Sequence, residues 1–177
     1  MSTLNILMAG FGGQGILFLG KMAAYSGLMD NKQITWLPSY GPEMRGGTAN
    51  CSVCISDDLI GSPLVINPDI LIAMNLPSLE KFINQVVPGG TVLVDSTIID
   101  KKVEREDINV YYIPATKLAD ENELPGLANM IMLGKMLKET NFCTECAMDE
   151  ALIKCVPPRK TDMIELNKKA LKIGSEL

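Results

Sequence analysis

The apolar positions of this chain fall in short runs broken by turn-formers, and two periods alternate along it. Leu4-Asn5-Ile6-Leu7-Met8-Ala9 is a compact apolar run that stops at Gly10, and from Gly13 onward apolar residues recur at Ile16, Leu17, Leu19, Met22, Ala23 and Ala24. That pattern predicts strand, tight turn, helix. Gly27 and the polar Asp30-Asn31-Lys32 are expected to close the helix, and Ile34-Thr35-Trp36-Leu37 reads as a second strand ending at Pro38. The opening of the chain therefore predicts a βαβ unit, with the two strands paired in parallel and the helix on one face.

Ser39-Tyr40-Gly41-Pro42-Glu43-Met44-Arg45-Gly46-Gly47 has turn-formers and charges but no apolar period, which places a loop at the carboxyl end of the second strand. Thr48 to Ser56 alternates and is rich in strand-formers. Asp57-Asp58 reads as a turn, and Leu59 with Leu64-Val65-Ile66 reads as a returning ribbon, an antiparallel excursion. The βα rhythm resumes with Ile70 to Met74, a helix over about 78–87 stopped by Pro88-Gly89-Gly90, then strands Thr91 to Asp95 and Asn109 to Ile113. Two or three helices are expected to follow. The last starts at Thr161, with Met163, Leu166, Ala170 and Ile173 on one face, Asp162 and Glu165 in its first turn, and Lys168, Lys169 and Lys172 toward its end. The fold class is α/β: a Rossmann-like, mostly parallel sheet with helices on both faces, a short antiparallel excursion and C-terminal helices, in one domain over 1–177.

Composition narrows the chemistry. A hydrophobic fraction of 47% with 21% charged residues suits a folded chain, and the net charge of −5 supplies no field for a polyanion, so nucleic acid is not an expected partner. No apolar run approaches the roughly 20 residues of a membrane span, and no basic-then-apolar leader opens the chain, which points to the cytoplasm. The chain has no histidine. Histidine-based nucleophile pairs and metal sites are thereby removed, and no catalytic residue is assigned.

Gly10-Phe11-Gly12-Gly13-Gln14-Gly15 fits G-x-G-x-x-G between a strand and a helix, where glycines let the backbone approach a ligand and the helix start offers free N–H groups to an anion. A phosphate is the natural guest. A dinucleotide site would also require an acidic residue at the end of the second strand, where Leu37-Pro38-Ser39 stands instead. The glycines could also serve only close packing of helix on sheet. Cys51-x-x-Cys54 and Cys143-x-x-Cys146 invite a metal, but Cys51 and Cys54 lie three apart on a strand and so face opposite ways; no metal site is expected. Glu43 and Arg45 read equally as an active pair or as solvated loop charges. Met130, Met132 and Met136 read as core or as an adaptable interface.

These residues resemble a family. The glycine loop Gly10 to Gly15, the segment Tyr40-Gly41-Pro42-Glu43-Met44-Arg45-Gly46-Gly47 after the second strand, and Asn129 with Leu133-Gly134 on a late helix are similar to the gamma subunit of 2-oxoacid:ferredoxin oxidoreductases, over essentially the whole chain. The second segment is the more specific of the motifs. The resemblance implies one part of a larger enzyme that decarboxylates a 2-oxoacid with thiamine diphosphate, passes electrons through iron–sulfur clusters to ferredoxin and delivers the acyl group to coenzyme A. It implies alpha and beta partners, and delta or ferredoxin-like ones, with thiamine and clusters held elsewhere than on this chain. A homodimer of the isolated chain is also compatible with a subunit built for a complex. On this reading Gly10, Gly12, Gly13, Gln14, Gly15, Tyr40, Arg45, Gly46 and Gly47 form a wall of the coenzyme A or active-site entrance. A nucleotide-binding oxidoreductase and a purely structural subunit are the competing readings.

Overall fold

The computed structural model describes residues 3–39 and 48–177. Its strands are β1 (Leu4–Phe11), β2 (Gln33–Ser39), β3 (Thr48–Ser56), β4 (Ile70–Ala73), β5 (Thr91–Asp95) and β6 (Asn109–Ile113). Its α-helices are α1 (Ile16–Met29), α2 (Leu76–Phe82), α3 (Ala115–Glu121), α4 (Ala128–Thr140), α5 (Glu145–Cys155) and α6 (Asp162–Ser175). The strands form one sheet in the order β2-β3-β1-β4-β5-β6. β1, β4, β5 and β6 run parallel, while β3 is antiparallel to both β1 and β2.

The apolar runs explain the centre of the sheet. Ile6 to Ala9 of β1 and all of β4 are buried on both faces, as parallel strands covered on two sides must be. Ile6, Met8, Cys51, Val53, Ile72 and Leu93 face the core shared with α1, α3, α4, α5 and α6. Leu7, Ala9, Cys54, Leu71, Val92 and Val94 face a smaller core closed by α2, Val65 and Ile99. The three methionines on α4, Met130, Met132 and Met136, are fully buried and serve the core.

Four expectations are corrected. β1 and β2 do not pair: β3 lies between them, and the antiparallel excursion is β3 itself. The ribbon through Leu59 and residues 64–66 is absent; that stretch is irregular, and Leu59, Leu64 and Ile66 face solvent instead of a partner strand. Four α-helices, not two or three, follow β6. Gly27 does not stop α1 either. A Cβ there would stand 3.0 Å from Ile55 and 3.2 Å from Ile34, so the glycine lets the helix lie down on β2 and β3, and the turn falls at Asn31 with φ 60°.

The last helix buries a seam slightly rotated from the expected one. Asn167, Ala170, Leu171 and Gly174 are buried against α4, while Met163, Leu166 and Ile173 are only partly covered. The cause is a pair of glycines, since a Cβ on Gly134 would stand 2.8 Å from the Leu171 carbonyl carbon and one on Gly174 would stand 2.9 Å from the Ile131 carbonyl carbon. The two backbones touch where side chains would ordinarily hold helices 8–10 Å apart.

Candidate functional site

The glycine loop leaves the carboxyl end of β1, and α1 starts directly after it on the face of the larger core. The neighbouring parallel strand β4 leads into α2 on the opposite face. Adjacent parallel strands whose helices go to opposite faces open a crevice at their carboxyl ends, where ligands of open α/β sheets sit. The loop stands at that crevice.

Its glycines have separable reasons. Gly13 has φ 97° and nothing within 4 Å of where a Cβ would stand, so its constraint is conformation alone. Gly15, the residue before α1, has φ 73°, and a Cβ there would run into the Asn129 amide, whose Cγ is 3.2 Å away. A Cβ at Gly10 would crowd Gln14 Oε1 at 2.6 Å and Ile16 Cδ1 at 2.8 Å. Close packing thus accounts for Gly10 and Gly15 but not for Gly13, which lies exposed beside Gly12.

Two side chains hold the loop in place. Gln14 Oε1 accepts a hydrogen bond from the Phe11 amide at 2.6 Å, while its Nε2 donates to the Met74 carbonyl at 2.8 Å, fastening the loop across the crevice to the end of β4. Asn129, buried at the start of α4, donates through Nδ2 to the Gly15 carbonyl at 3.1 Å. Gln14 therefore positions the loop through two bonds already made. Asn129 is a positioning residue that spacing could not reveal, because it acts from 114 residues away.

Among the described residues no side chain caps the amino terminus of α1, and no acidic residue lies in its first turn. Its leading N–H groups and the positive end of its dipole are thus left for an anion. The rest of the predicted wall, Tyr40, Arg45, Gly46 and Gly47, together with Glu43, lies outside the described residues.

Asp30, at the end of α1, is already engaged. Its carboxylate accepts from the Thr144 amide at 2.6 Å and from the Thr144 hydroxyl at 2.7 Å, tying the end of α1 to the start of α5. The dinucleotide reading also expects the acidic residue on the strand beside β1. That neighbour is β3, which reaches the glycine loop with Thr48-Ala49-Asn50. A cleft of about 970 Å³ opens at the other end of the sheet, far from the loop, lined among others by Thr3, Asp30, Lys32, Asp57 and Lys138. Of its charged residues, Asp30 is bonded to Thr144 and Lys32 pairs with Asp57.

The cysteines do not converge. Cys51 and Cys54 lie in the two different cores, and among the described residues no three His, Cys, Asp or Glu side chains gather as metal ligands. Burial pushes the Cys51 and Cys143 thiols up to about 12, and Cys146 is exposed. At pH 8 an aromatic disulfide reagent is therefore expected to modify one thiol quickly, Cys146, and the other four only at the rate of unfolding. A second fast thiol in the folded chain would contradict this packing.

Among the described residues no helix is long and apolar enough to cross a membrane. The profile of the family described as pyruvate ferredoxin/flavodoxin oxidoreductase matches residues 5–177. The chain is 40% identical over 159 residues to 2-oxoglutarate synthase subunit KorC of Methanocaldococcus jannaschii, covering 86% of this chain and 83% of that one. It is 38% identical over 175 residues to ketoisovalerate oxidoreductase subunit VorA of Methanothermobacter marburgensis, covering 98% of this chain but only 36% of that relative. Among solved structures it resembles the keto/oxoacid ferredoxin oxidoreductase gamma subunit of Geobacter sulfurreducens, with a TM-score of 0.84, 30% identity and coverage of 98% of this chain and 96% of that one.

Proposed function

Since the chain belongs to the pyruvate ferredoxin/flavodoxin oxidoreductase family, we propose that it is the gamma subunit of a 2-oxoacid:ferredoxin oxidoreductase complex, with its glycine loop lining the entrance taken by coenzyme A. The likeness to KorC and to the Geobacter gamma subunit supports this reading. One observation carries the site: α1 begins with no side-chain cap among the described residues, behind Gly13 and Gly15 at positive φ, on the crevice between β1 and β4.

In this reading the chain binds and positions. Backbone N–H groups from Gly12 to Gly15 receive a phosphate of coenzyme A, whose charge the start of α1 favours. Gly10 gives the loop room to fold back on Gln14, and Gln14 and Asn129 tie it to the end of β4 and to α4. Arg45 pairs with a phosphate or with a carboxylate of a neighbouring subunit, Tyr40 orients that pair, and Gly46 and Gly47 let the second loop approach. Thiamine diphosphate supplies the decarboxylation chemistry in such a complex, and it and the iron–sulfur clusters fall to alpha, beta and ferredoxin-like subunits. The chain's five free cysteines suit the reducing cytoplasm.

The test is a coenzyme A titration of the assembled complex carrying Arg45→Ala. Loss of a charged hydrogen-bond partner costs about 1.5–3 kcal/mol, so affinity should fall roughly tenfold or more. Unchanged affinity removes Arg45 from the site. If the reconstituted complex shows no 2-oxoacid-dependent acylation of coenzyme A, the function itself is wrong.

A further inference from the structure

The segment between β3 and β4 combines features that a free surface does not need. From Leu59 to Pro68 it has no charged residue, in a chain that is 21% charged. Leu59 is 90% exposed, Leu64 56% and Ile66 64%. Val65, between the last two, is buried in the smaller core, and Ile60 packs against the same core. The segment is pinned further by the Cys54 thiol at 3.8 Å from the Ser62 carbonyl and by the Leu64 amide on Ser62 Oγ at 3.2 Å. It is thus a fixed loop that turns one aliphatic residue inward and its two sequence neighbours outward.

Single exposed aliphatics such as Leu28, Ile98 and Ile153 sit on separate elements and call for no partner. Three on one uncharged, anchored segment do. A net charge of −5 opposes an anionic lipid surface. VorA points to the occupant: this chain matches only 36% of it, so in that relative the matched stretch is covalently continuous with a much larger polypeptide.

We infer that Leu59, Leu64 and Ile66 are a docking knob for the partner subunit that corresponds to the rest of the VorA polypeptide. The inference rests on the subunit reading above. The knob inserts into an apolar pocket of that partner, on a loop that folding has already fixed, so little ordering is required on assembly.

The experiment co-expresses the tagged chain with that partner and compares wild type with Leu59→Ser/Leu64→Ser/Ile66→Ser by co-purification and by titration of the partner. The triple variant should keep the melting temperature of the isolated chain, because the three side chains are exposed, and lose about a hundredfold in partner affinity. Leu59→Ser alone should show a smaller loss in the same direction. Affinity within threefold of wild type for the triple variant overturns the knob while leaving the subunit reading intact. A wild-type chain that forms only a self-dimer, broken by the triple variant, also overturns it in favour of a second copy. If wild type captures no partner at all, the subunit reading fails and the knob with it, and the Arg45 titration then has no complex to act on.

Discussion

Gly134→Ala or Gly174→Ala is expected to destabilise the fold by about 3 kcal/mol or more, the upper end of overpacking costs. For a chain of this size that corresponds to a drop of roughly 6–12 °C in melting temperature. The added carbon would meet backbone, not the tip of a flexible side chain: Leu171 opposite Gly134, and Ile131 and Lys135 opposite Gly174. Neither backbone can give without moving a helix, and α4 carries Met130, Met132 and Met136 in the main core. The two substitutions act on one gap, so the double variant should cost clearly less than the sum of the singles. Gly61→Ala, at a position with no atom within 4 Å, is the control and should change stability by less than about 0.5 kcal/mol. A single variant at either helix glycine with an unchanged melting temperature would sink this account of the α4–α6 seam.

Gly15→Ala is expected to cost about 2–3 kcal/mol and also to weaken coenzyme A binding to the complex, because two penalties coincide. The backbone at φ 73° is unfavourable for alanine, and the methyl group meets the Asn129 amide that holds the Gly15 carbonyl. They can be separated. In an Asn129→Ala background the collision disappears while the left-handed backbone remains, so Gly15→Ala should then cost only about 1 kcal/mol. Thermal unfolding of the four proteins gives the comparison, and equal costs in both backgrounds would show that Asn129 does not press on this loop.

How far the sequence was readable follows the range of each signal. β3, β5 and β6 have the bounds read from their alternation or apolar runs, because those patterns are local. β1 runs on to Phe11, past the expected stop at Gly10, since its extension is decided by pairing of Phe11 with Thr48. Strand neighbours are not a local property, which is why the βα alternation suggested β2 beside β1 when β3 takes that place. Leu64-Val65-Ile66 has strand composition but no partner strand, and burial of Val65 alone does not make one. At the site, Gly10 to Gly15 were legible as a glycine-rich turn between a strand and a helix, and their division into packing and conformational roles was not. That division depends on Asn129, Gln14 and Met74, brought together from three distant places in the chain.

The position of β3 also bears on the order in which the molecule can assemble. During synthesis, β1, α1 and β2 leave the ribosome before the strand that bridges them exists, and no backbone ladder can join β1 to β2 until Thr48 to Ser56 has emerged. At about 5–20 residues per second that interval lasts on the order of one to a few seconds. An unpaired, uncharged Gln33-Ile34-Thr35-Trp36-Leu37 is available to other nascent chains throughout that interval. The inserted strand thus makes the amino-terminal third of this protein dependent on sequence translated after it, and exposes it to the cell's holding factors until that sequence arrives.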